Sequence, residues 1–255
     1  MLARAGVGKL TLVDPDKLET KNIQRHVLTH SHVIGDTEYK VFAMKRHLQS
    51  VSDCKVRRVK EKFDPAIFAP LIIHADPGGQ SERSQKPDLV ACCADSDACC
   101  QLVNQYCVDN SVPCVFAGVH GAAETAEVIT FVPGKTPCYA CYEREGPEPE
   151  PSQEKYTNPN YDPTKMPHQE GLWCDVLMAA SIQFRAILKV MEVERRMVAA
   201  NESRKKNIIY GCFGELWSDL NPLILASLRP PYGAEIIKQK PGCGVCSDVM
   251  EGLTI

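Results

Sequence analysis

No stretch of these 255 residues stays apolar for the roughly 18 residues that a membrane-spanning helix needs. The first residues lack the long apolar segment and the cleavage site of a secretory signal. Positive charge is not in excess, because 29 Lys and Arg stand against 32 Asp and Glu, and a net charge of -3 gives no basic field for a nucleic acid. We therefore expect a cytoplasmic protein that binds neither membrane nor nucleic acid.

A complete phosphate-binding turn is also missing. An α/β nucleotide site usually begins with a strand, a Gly-rich turn and a helix. This chain begins instead with residues 2–5, which resemble the tail of a helix closed by Gly6. The GVGK string at 6–9 is not a P-loop, because Leu10 stands where Ser or Thr is needed and no strand precedes the glycines. We interpret it as a helix-to-strand turn, and we expect the N-terminal region to be incomplete.

Strand and helix patterns alternate along the chain. Apolar runs predict strands at 10–13, 54–59, 89–93, 112–116 and 127–132, with shorter strands at 207–212 and 234–239. Helical spacing of apolar residues predicts helices at 38–49, 98–109 and 175–200, with a weak helix at 64–73. The alternation predicts an α/β fold with a doubly wound, Rossmann-like, mostly parallel sheet.

Residues 143–170 interrupt this pattern. They contain many prolines and charges and little that a core could bury, which predicts an exposed, mobile connector. The connector separates an N-terminal region, residues 1–142, from a C-terminal region, residues 171–255, which contains the longest predicted helix and the last strands.

Two C-x-x-C pairs, Cys138/Cys141 and Cys243/Cys246, lie far apart in the sequence. Two intervening residues let both thiols of a pair reach one tetrahedral ion, and four thiolates complete a structural zinc site. The alternatives are a redox pair or unpaired buried thiols. A redox C-x-x-C normally opens a helix, whereas Cys138 follows Pro137 in a predicted loop. We therefore predict a zinc site that staples the C-terminal portion to the sheet.

The other cysteines divide into two kinds. Adjacent cysteines at 92–93 and 99–100 are typical of small buried side chains rather than of disulfides. Cys174 instead precedes the predicted long helix, and a helix N-terminus favours the thiolate. The neighbouring Asp175 opposes that effect. Cys174 is therefore a candidate nucleophile, with a buried thiol in a capping turn as the alternative.

Polar side chains follow the first predicted strand. A carboxylate at the carboxyl end of a buried strand, here Asp14, is well placed to bond a ribose hydroxyl, and Asp16 lies beside it. A loop then carries the amides of Asn22 and Gln24 and the guanidinium of Arg25, whose fork matches phosphate oxygens. The alternative is a solvated turn with a surface arginine.

Two more charged residues fall at comparable places. Lys40 lies in the first turn of the helix predicted at 38–49, near the expected phosphate site, or it is a solvated surface charge. Asp95 follows the strand predicted at 89–93 and is a candidate magnesium ligand, because Mg²⁺ takes one or two carboxylates plus phosphate oxygens. Asp95 is also a candidate helix N-cap, although Asp97 could serve as the cap instead.

The string G-[VI]-G-x-[LI]-T-L-[VI]-D-x-D, followed by N-x-x-R at 22–25, resembles the ThiF/MoeB family of adenylating enzymes, which are related to ubiquitin-activating enzymes. The similarity extends from Ala5 to Cys246 and keeps the family's motif order. It implies binding of ATP and Mg²⁺, and adenylation of the C-terminal Gly-Gly carboxylate of a ubiquitin-like or sulfur-carrier protein. It also implies a homo- or heterodimer. Some members then transfer the acyl group to a cysteine located where Cys174 falls.

By that resemblance each site residue has a role: the ribose for Asp14, the phosphates for Asn22, Arg25 and Lys40, and magnesium for Asp95. Residues 143–170 match the family's crossover loop, which embraces the partner's tail. The family's first strand and Gly-rich turn are absent, and an arginine that often follows the magnesium aspartate is replaced near 99–100. A non-catalytic, partner-binding scaffold is therefore the alternative function. A dinucleotide-dependent oxidoreductase fits less well, because neither N-x-x-R nor the paired C-x-x-C belongs to it.

Overall fold

The computed structural model describes residues 1–28, 32, 37–66, 86–120, 125–145, 171–201, 223–227, 233–235 and 243–246. The strands are β1 (Lys9–Val13), β2 (Lys55–Val59), β3 (Val90–Cys92), β4 (Cys114–His120), β5 (Thr125–Phe131), β6 (Leu223–Ser227) and β7 (Gly233–Glu235). The α-helices are α1 (Lys40–Val51), α2 (Asp97–Asp109), α3 (Tyr139–Glu145) and α4 (Trp173–Asn201), and a 3₁₀ helix covers Thr20–Arg25. Within these residues no helix combines the length and the apolar character needed to span a membrane.

The strands form a two-stranded and a five-stranded sheet. β1 pairs with β2, and β3 with β4, in parallel. β4 then pairs with β5, β5 with β6, and β6 with β7, all antiparallel. The α/β class and its parallel pairs are confirmed, but the prediction of a mostly parallel sheet is wrong for the described strands, because antiparallel pairings outnumber parallel ones.

The antiparallel part begins with a short connection that the sequence prediction overlooked. Only residues 121–124 separate β4 from β5, whereas a parallel return needs a crossover of about a dozen residues or more. The strands predicted at 112–116 and 127–132 left room for a longer connection. In the structure β4 continues to His120 and β5 begins at Thr125, so the two strands form a hairpin.

Helices cover both faces of the larger sheet, as a doubly wound fold requires. Neighbouring residues of β4 point to opposite faces. Val115 packs with Ile187 and Val190 of α4, whereas Phe116 lies in the core that α2 and α3 cover. The smaller sheet packs separately, with Val56 in a cluster that also holds side chains of β1 and α1.

Residues 2–7 form a hydrogen-bonded turn rather than a full helix. The Gly6 N–H donates to Ala3 O and the Val7 N–H donates to Leu2 O, each at 3.2 Å. This is the Schellman pattern of a helix end, and it places Gly6 at a φ of 89°, where a side chain would be strained. The interpretation of the glycines as a helix-to-strand turn is therefore confirmed.

Several predicted boundaries shift. α1 begins at Lys40 rather than at 38, because Tyr39 is extended and forms a bridge with Lys17. The helix predicted from 175 begins at Trp173, and the strand predicted at 234–239 is Gly233–Glu235. β6 was not predicted.

Other predictions concern residues that are not described. The strand at 207–212 lies entirely outside the described residues, and the helix at 64–73 lies mostly outside them. So does the connector, apart from 143–145, which belong to α3. The proposed division at 142 therefore falls within α3, and β6, from the C-terminal region, pairs with β5, from the N-terminal region.

Candidate functional site

Predicted site residues converge beyond the end of β1. Asp14 directly follows β1, and its Oδ1 accepts the backbone N–H of Asp16 at 2.8 Å. Burial raises the pKa of Asp14; the Asp16 N–H and Lys40 oppose this rise, while the carboxylates of Asp16 and Asp95 add to it. Asp14, Asp16, Lys40 and Asp95 therefore share one electrostatic environment, and the three acidic groups favour a cation among them.

Lys40 is not the solvated surface charge of the alternative prediction. Its ammonium Nζ lies 2.8 Å from Asp16 Oδ2, and its side chain is 21% exposed whereas that of Asp16 is 65% exposed. The backbone N–H of Lys40 also donates to Asp16 O at 2.9 Å. The pair holds the ammonium beside Asp14. Because Asp16 is exposed, the ion pair contributes at most about 1 kcal/mol to stability, so a phosphate could displace the carboxylate.

The segment with Asn22, Gln24 and Arg25 is a 3₁₀ helix, where the sequence predicted a loop. The helix is fixed at its start by Asn22, whose Oδ1 accepts the Glu19 N–H at 2.9 Å and whose residue is 7% exposed. Only the Nδ2 group of Asn22 is left to meet a ligand. Gln24 is exposed, and Arg25 is half-buried with Nη1 3.4 Å from Lys21 O.

His26 connects this helix to Lys40 and was missed by the sequence interpretation. Burial is the main cause that lowers the pKa of His26, to about 4, and Lys40 and Arg25 lower it further. Both cations therefore lie near the same imidazole. His26 Nδ1 accepts the N–H of Leu28 at 3.2 Å, and Leu28 is fully buried. The neutral ring thus holds the chain that follows Arg25.

A titration of stability tests this role of His26. Its pKa in the folded chain is lowered to about 4, below the ordinary value of about 6.5, so the unfolded chain binds the proton more tightly. The contribution of His26 to stability is therefore fully present when the pH is above its pKa in the unfolded chain. That contribution is lost as the pH falls toward the pKa of His26 in the folded chain. We expect the free energy of unfolding to fall by about 2 kcal/mol between about pH 7.5 and about pH 5, as measured by urea denaturation.

The control for this titration is His26→Asn, whose Oδ1 can still accept the Leu28 N–H but does not titrate. We expect the variant to lose most of the pH-dependent difference, because His32 and His47 are present in both proteins. An identical pH slope in the two proteins would contradict the assignment.

Asp95 is not a helix cap. The N-cap of α2 is Ser96, whose Oγ accepts the Cys99 N–H at 3.4 Å, so Asp97 is not the cap either. Asp95 is exposed, and it makes no hydrogen bond or ion pair with any other described residue. Its carboxylate is thus available to a ligand, and it lies close enough to Asp14 to raise the pKa of that carboxyl.

The four cysteines of the two C-x-x-C pairs come together as the spacing predicts. All four are buried, and their sulfur atoms lie within 4.8 Å of one another. The Cys138–Cys243 sulfurs are 3.9 Å apart and the Cys141–Cys246 sulfurs are 3.7 Å apart. An ion bound about 2.3 Å from four tetrahedral sulfurs separates them by about 3.8 Å, whereas a disulfide needs about 2.05 Å. The residues therefore fit one tetrahedral metal ion.

One part of the sequence argument about these cysteines is wrong. Cys138 lies in the connection after β5, as predicted, but α3 begins at the next residue, so the pair does open a helix and its position does not distinguish it from a redox pair. The second pair makes that distinction, because Cys243 and Cys246 complete a four-sulfur set. Burial raises the pKa of Cys243, but the backbone N–H groups of Val245 and Cys246, together with the thiols of Cys141 and Cys246, outweigh it and lower the pKa to about 7. Burial raises the pKa of Cys246 in the same cluster.

Asn104 ties this cluster to α2. It is fully buried, and its Oδ1 accepts the N–H of Tyr139 at 3.0 Å, next to Cys138. Its Nδ2 has no hydrogen-bond partner among the described residues. The first turn of α3, and with it the first C-x-x-C pair, is therefore held against α2 by a side chain that the sequence pattern did not single out.

Cys174 lies in the first turn of α4, where the sequence placed it. It is exposed, and its Sγ lies 3.6 Å from Asp175 Oδ1. The pairs of adjacent cysteines at 92–93 and 99–100 each have one buried member. Cys92 and Cys100 are buried, with sulfur atoms 3.8 Å apart. Cys93 is exposed and Cys99 is half-buried. The prediction of burial is thus confirmed for one member of each adjacent pair.

Both the sequence and the fold of this chain are similar to those of known proteins. A sequence profile of the ThiF family matches residues 1–226. The adenylyltransferase and sulfurtransferase MOCS3 of Xenopus laevis is 31% identical over 153 residues, 60% of this chain and 30% of the relative. Ubiquitin-like modifier-activating enzyme 5 of Rattus norvegicus is 29% identical over 143 residues, 55% of this chain and 34% of the relative.

Among solved structures, E. coli MccB with ATP matches with a TM-score of 0.64 and 22% identity, covering 96% of this chain and 61% of MccB. At that identity the likeness concerns the fold alone. The chain spans half or less of the length of the curated relatives that it matches.

Proposed function

The chain belongs to the ThiF family, and on that premise we propose that it carries out the ATP-dependent adenylation of the C-terminal glycine carboxylate of a ubiquitin-like or sulfur-carrier protein. The names of two relatives support this, one an adenylyltransferase and the other a ubiquitin-like modifier-activating enzyme. The single observation that carries it is the Asp95 carboxylate, which has no partner among the described residues and lies close enough to Asp14 to raise the pKa of that carboxyl.

In this proposal the charged residues act on ATP by electrostatics. Asp14, at the end of β1, accepts a ribose hydroxyl. Arg25, Lys40 and the Nδ2 group of Asn22 bind phosphate oxygens, with Gln24 beside them. Lys40 exchanges its contact with Asp16 for a phosphate, because an exposed ion pair costs little to break.

Asp95 would hold Mg²⁺, which supplies positive charge to the phosphates when bound. A single carboxylate is enough, because Mg²⁺ normally keeps several waters and takes further ligands from phosphate oxygens.

The reaction itself needs little proton transfer. A carboxylate oxygen of the carrier's last glycine attacks the α-phosphorus of ATP, the bond to the bridging oxygen breaks, and pyrophosphate leaves. Arg25 and Lys40 stabilise the negative charge that accumulates on the departing phosphates. Residues 143–170 would hold the carrier's tail, and Cys174 would accept the acyl group from the adenylate as a thioester, with release of AMP.

The four-cysteine cluster has a structural part in the proposal. We assign it to Zn²⁺, which four thiolates bind in closed tetrahedral sites. It joins α3 to the chain near 243–246, more than a hundred residues later in sequence. The proposal also includes a dimer, homomeric or heteromeric, and a cytoplasmic location, where thiols stay reduced.

Exchange of labelled pyrophosphate into ATP tests the proposed reaction. The full chain is incubated with ATP, Mg²⁺ and each of a panel of ubiquitin-like and sulfur-carrier proteins that end in Gly-Gly. We expect exchange with at least one carrier, and its loss when the terminal glycine of that carrier is deleted. Carrier binding without any exchange would reject catalysis and leave the partner-binding scaffold, and exchange that ignores the terminal glycine would reject the assigned substrate.

A further inference from the structure

Gln183 of α4 makes contacts that neither its helix nor the core requires. It is 6% exposed, in a helix face that otherwise packs apolar side chains on the sheet. Its Nε2 donates to Cys92 O at 3.2 Å and to Val115 O at 3.1 Å, and its Oε1 accepts the Cys93 thiol at 3.2 Å. One side chain therefore forms hydrogen bonds with a backbone carbonyl of β3, a backbone carbonyl of β4 and the Cys93 thiol just after β3.

These contacts lie where β3 ends. The pairing of β3 with β4 stops at Cys92, opposite Phe116, and beyond this point the strands no longer hold each other. Gln183 bonds the last carbonyl of β3 and the first side chain after it. Asp95 follows two residues later, and Ser96 then begins α2 as its N-cap. The short loop that carries Asp95 is thus fixed by Gln183 at one end and by the cap at the other.

We propose that Gln183 is a positioning residue that fixes the position of the Asp95 carboxylate for Mg²⁺. The inference rests on the proposed function, because it assumes that Asp95 binds Mg²⁺ with ATP. Gln183 touches neither ligand and acts through the backbone of the Asp95 loop.

A hydrogen-bonding side chain is needed here because two carbonyls converge on one donor. Cys92 and Val115 both lie in the ladder of β3 and β4, opposite Phe116 and Ala91, so Gln183 adds hydrogen bonds to carbonyls of that ladder. Removal of the Nε2 group takes away these added bonds, each worth about 0.5–1.5 kcal/mol, and loosens the end of β3. Because the Asp95 side chain makes no hydrogen bond or ion pair with a described residue, the place of its carboxylate follows the backbone of the loop, which Gln183 holds at the end of β3 and the Ser96 cap holds at the start of α2.

Calorimetric titration of ATP into the full chain, at a series of Mg²⁺ concentrations, tests this proposal without any carrier. The variant Gln183→Met keeps the length of the side chain and removes all three hydrogen bonds. We expect the Mg²⁺ concentration that gives half of the maximal ATP affinity to rise about tenfold, while the affinity for ATP in EDTA changes less than about twofold. The matched control is Ser181→Ala on the same helix, whose hydroxyl bonds only within α4 and to a methionine sulfur.

The outcomes separate the two proposals. An unchanged Mg²⁺ dependence in Gln183→Met, with only a lower melting temperature, would show a structural role and overturn the positioning role. A wild-type chain that binds ATP no better with Mg²⁺ than in EDTA would refute the proposed function, and the role of Gln183 would fall with it. Wild-type binding that depends on Mg²⁺, together with a failure of pyrophosphate exchange, would leave the role of Gln183 standing.

A second variant keeps the test decisive if Gln183→Met does not fold. Cys93→Ala removes only the bond to Oε1 and leaves both carbonyls paired. We expect a rise of about two- to threefold in the half-saturating Mg²⁺ concentration, and no change would contradict the proposal.

Discussion

Replacement of Asp95 with Asn is expected to lower the rate of ATP–pyrophosphate exchange by at least about 100-fold. Asn keeps the size of the side chain but removes the negative charge that holds the cation against the phosphates. Asp95 neither caps α2 nor pairs with another described residue, so the change leaves the fold intact. The measurement is the exchange rate at saturating carrier, together with the melting temperature.

The matched control for Asp95→Asn is Asp97→Asn. Asp97 is an exposed carboxylate two residues later, in the first turn of α2. Loss of its charge removes a favourable contact with the helix dipole, worth about 0.3–1 kcal/mol, and we expect exchange to change less than about threefold. An equal fall of the exchange rate in the two variants would mean that negative charge anywhere near the start of α2 supports the reaction, rather than a metal ligand at Asp95.

Replacement of Cys243 with Ser is expected to reduce bound zinc from one ion per chain to nearly none and to lower the melting temperature by at least about 10 °C. The three remaining sulfurs cannot close the tetrahedral site, and the free energy of metal binding is also free energy of folding. The chain near 243–246 would lose its link to α3. Zinc content is measured by mass spectrometry of the purified protein and stability by thermal unfolding.

Cys100→Ser separates the loss of metal from the loss of a buried thiol. Cys100 is buried in the same core as the four-cysteine cluster but does not belong to it. We expect this variant to retain one zinc per chain, with a modest loss of stability from the buried hydroxyl. Retention of zinc by Cys243→Ser, or its loss from Cys100→Ser, would contradict the assignment of the ligands.

The two predictions concern two different kinds of cation site, one open to solvent at Asp95 and one closed at the four-cysteine cluster. At Asp95 the acidic groups are exposed or half-buried and lie beside cations, so the site can exchange its partners with ATP and magnesium. At the cysteine cluster every sulfur is buried and directed to one point, so the site is closed. An open cation position suits a substrate and its metal, whereas a closed set of four thiolates suits a structural ion.

The sequence was most informative where chemistry depends on short spacing. Each C-x-x-C fixes two thiols within reach of one ion, whatever the rest of the fold does, and the prediction that both pairs meet is confirmed. The places of Asp14 after β1 and of Cys174 in the first turn of α4 likewise follow from local patterns. The roles of Arg25, Lys40, Asp95 and Cys174 in catalysis stay predictions.

The sequence was least informative where a choice depends on distant partners. Whether Asp95, Ser96 or Asp97 caps α2 depends on the residue at which the backbone changes from extended to helical, and three capping residues in a row cannot be ranked from their order. The hairpin of β4 and β5 was hidden because each strand continues beyond its apolar run.

By itself, then, the sequence determined the α/β class, the family and the four cysteines, because periodicity and spacing are local properties of the chain. Only the tertiary structure decided that Lys40 pairs with Asp16, that a half-buried His26 lies near Lys40, and that Gln183 holds the end of β3. The Lys40–Asp16 contact joins residues 24 positions apart, and the Gln183–Cys92 contact joins residues 91 positions apart. Burial and hydrogen bonding of that kind arise from packing, which no short pattern in the chain encodes.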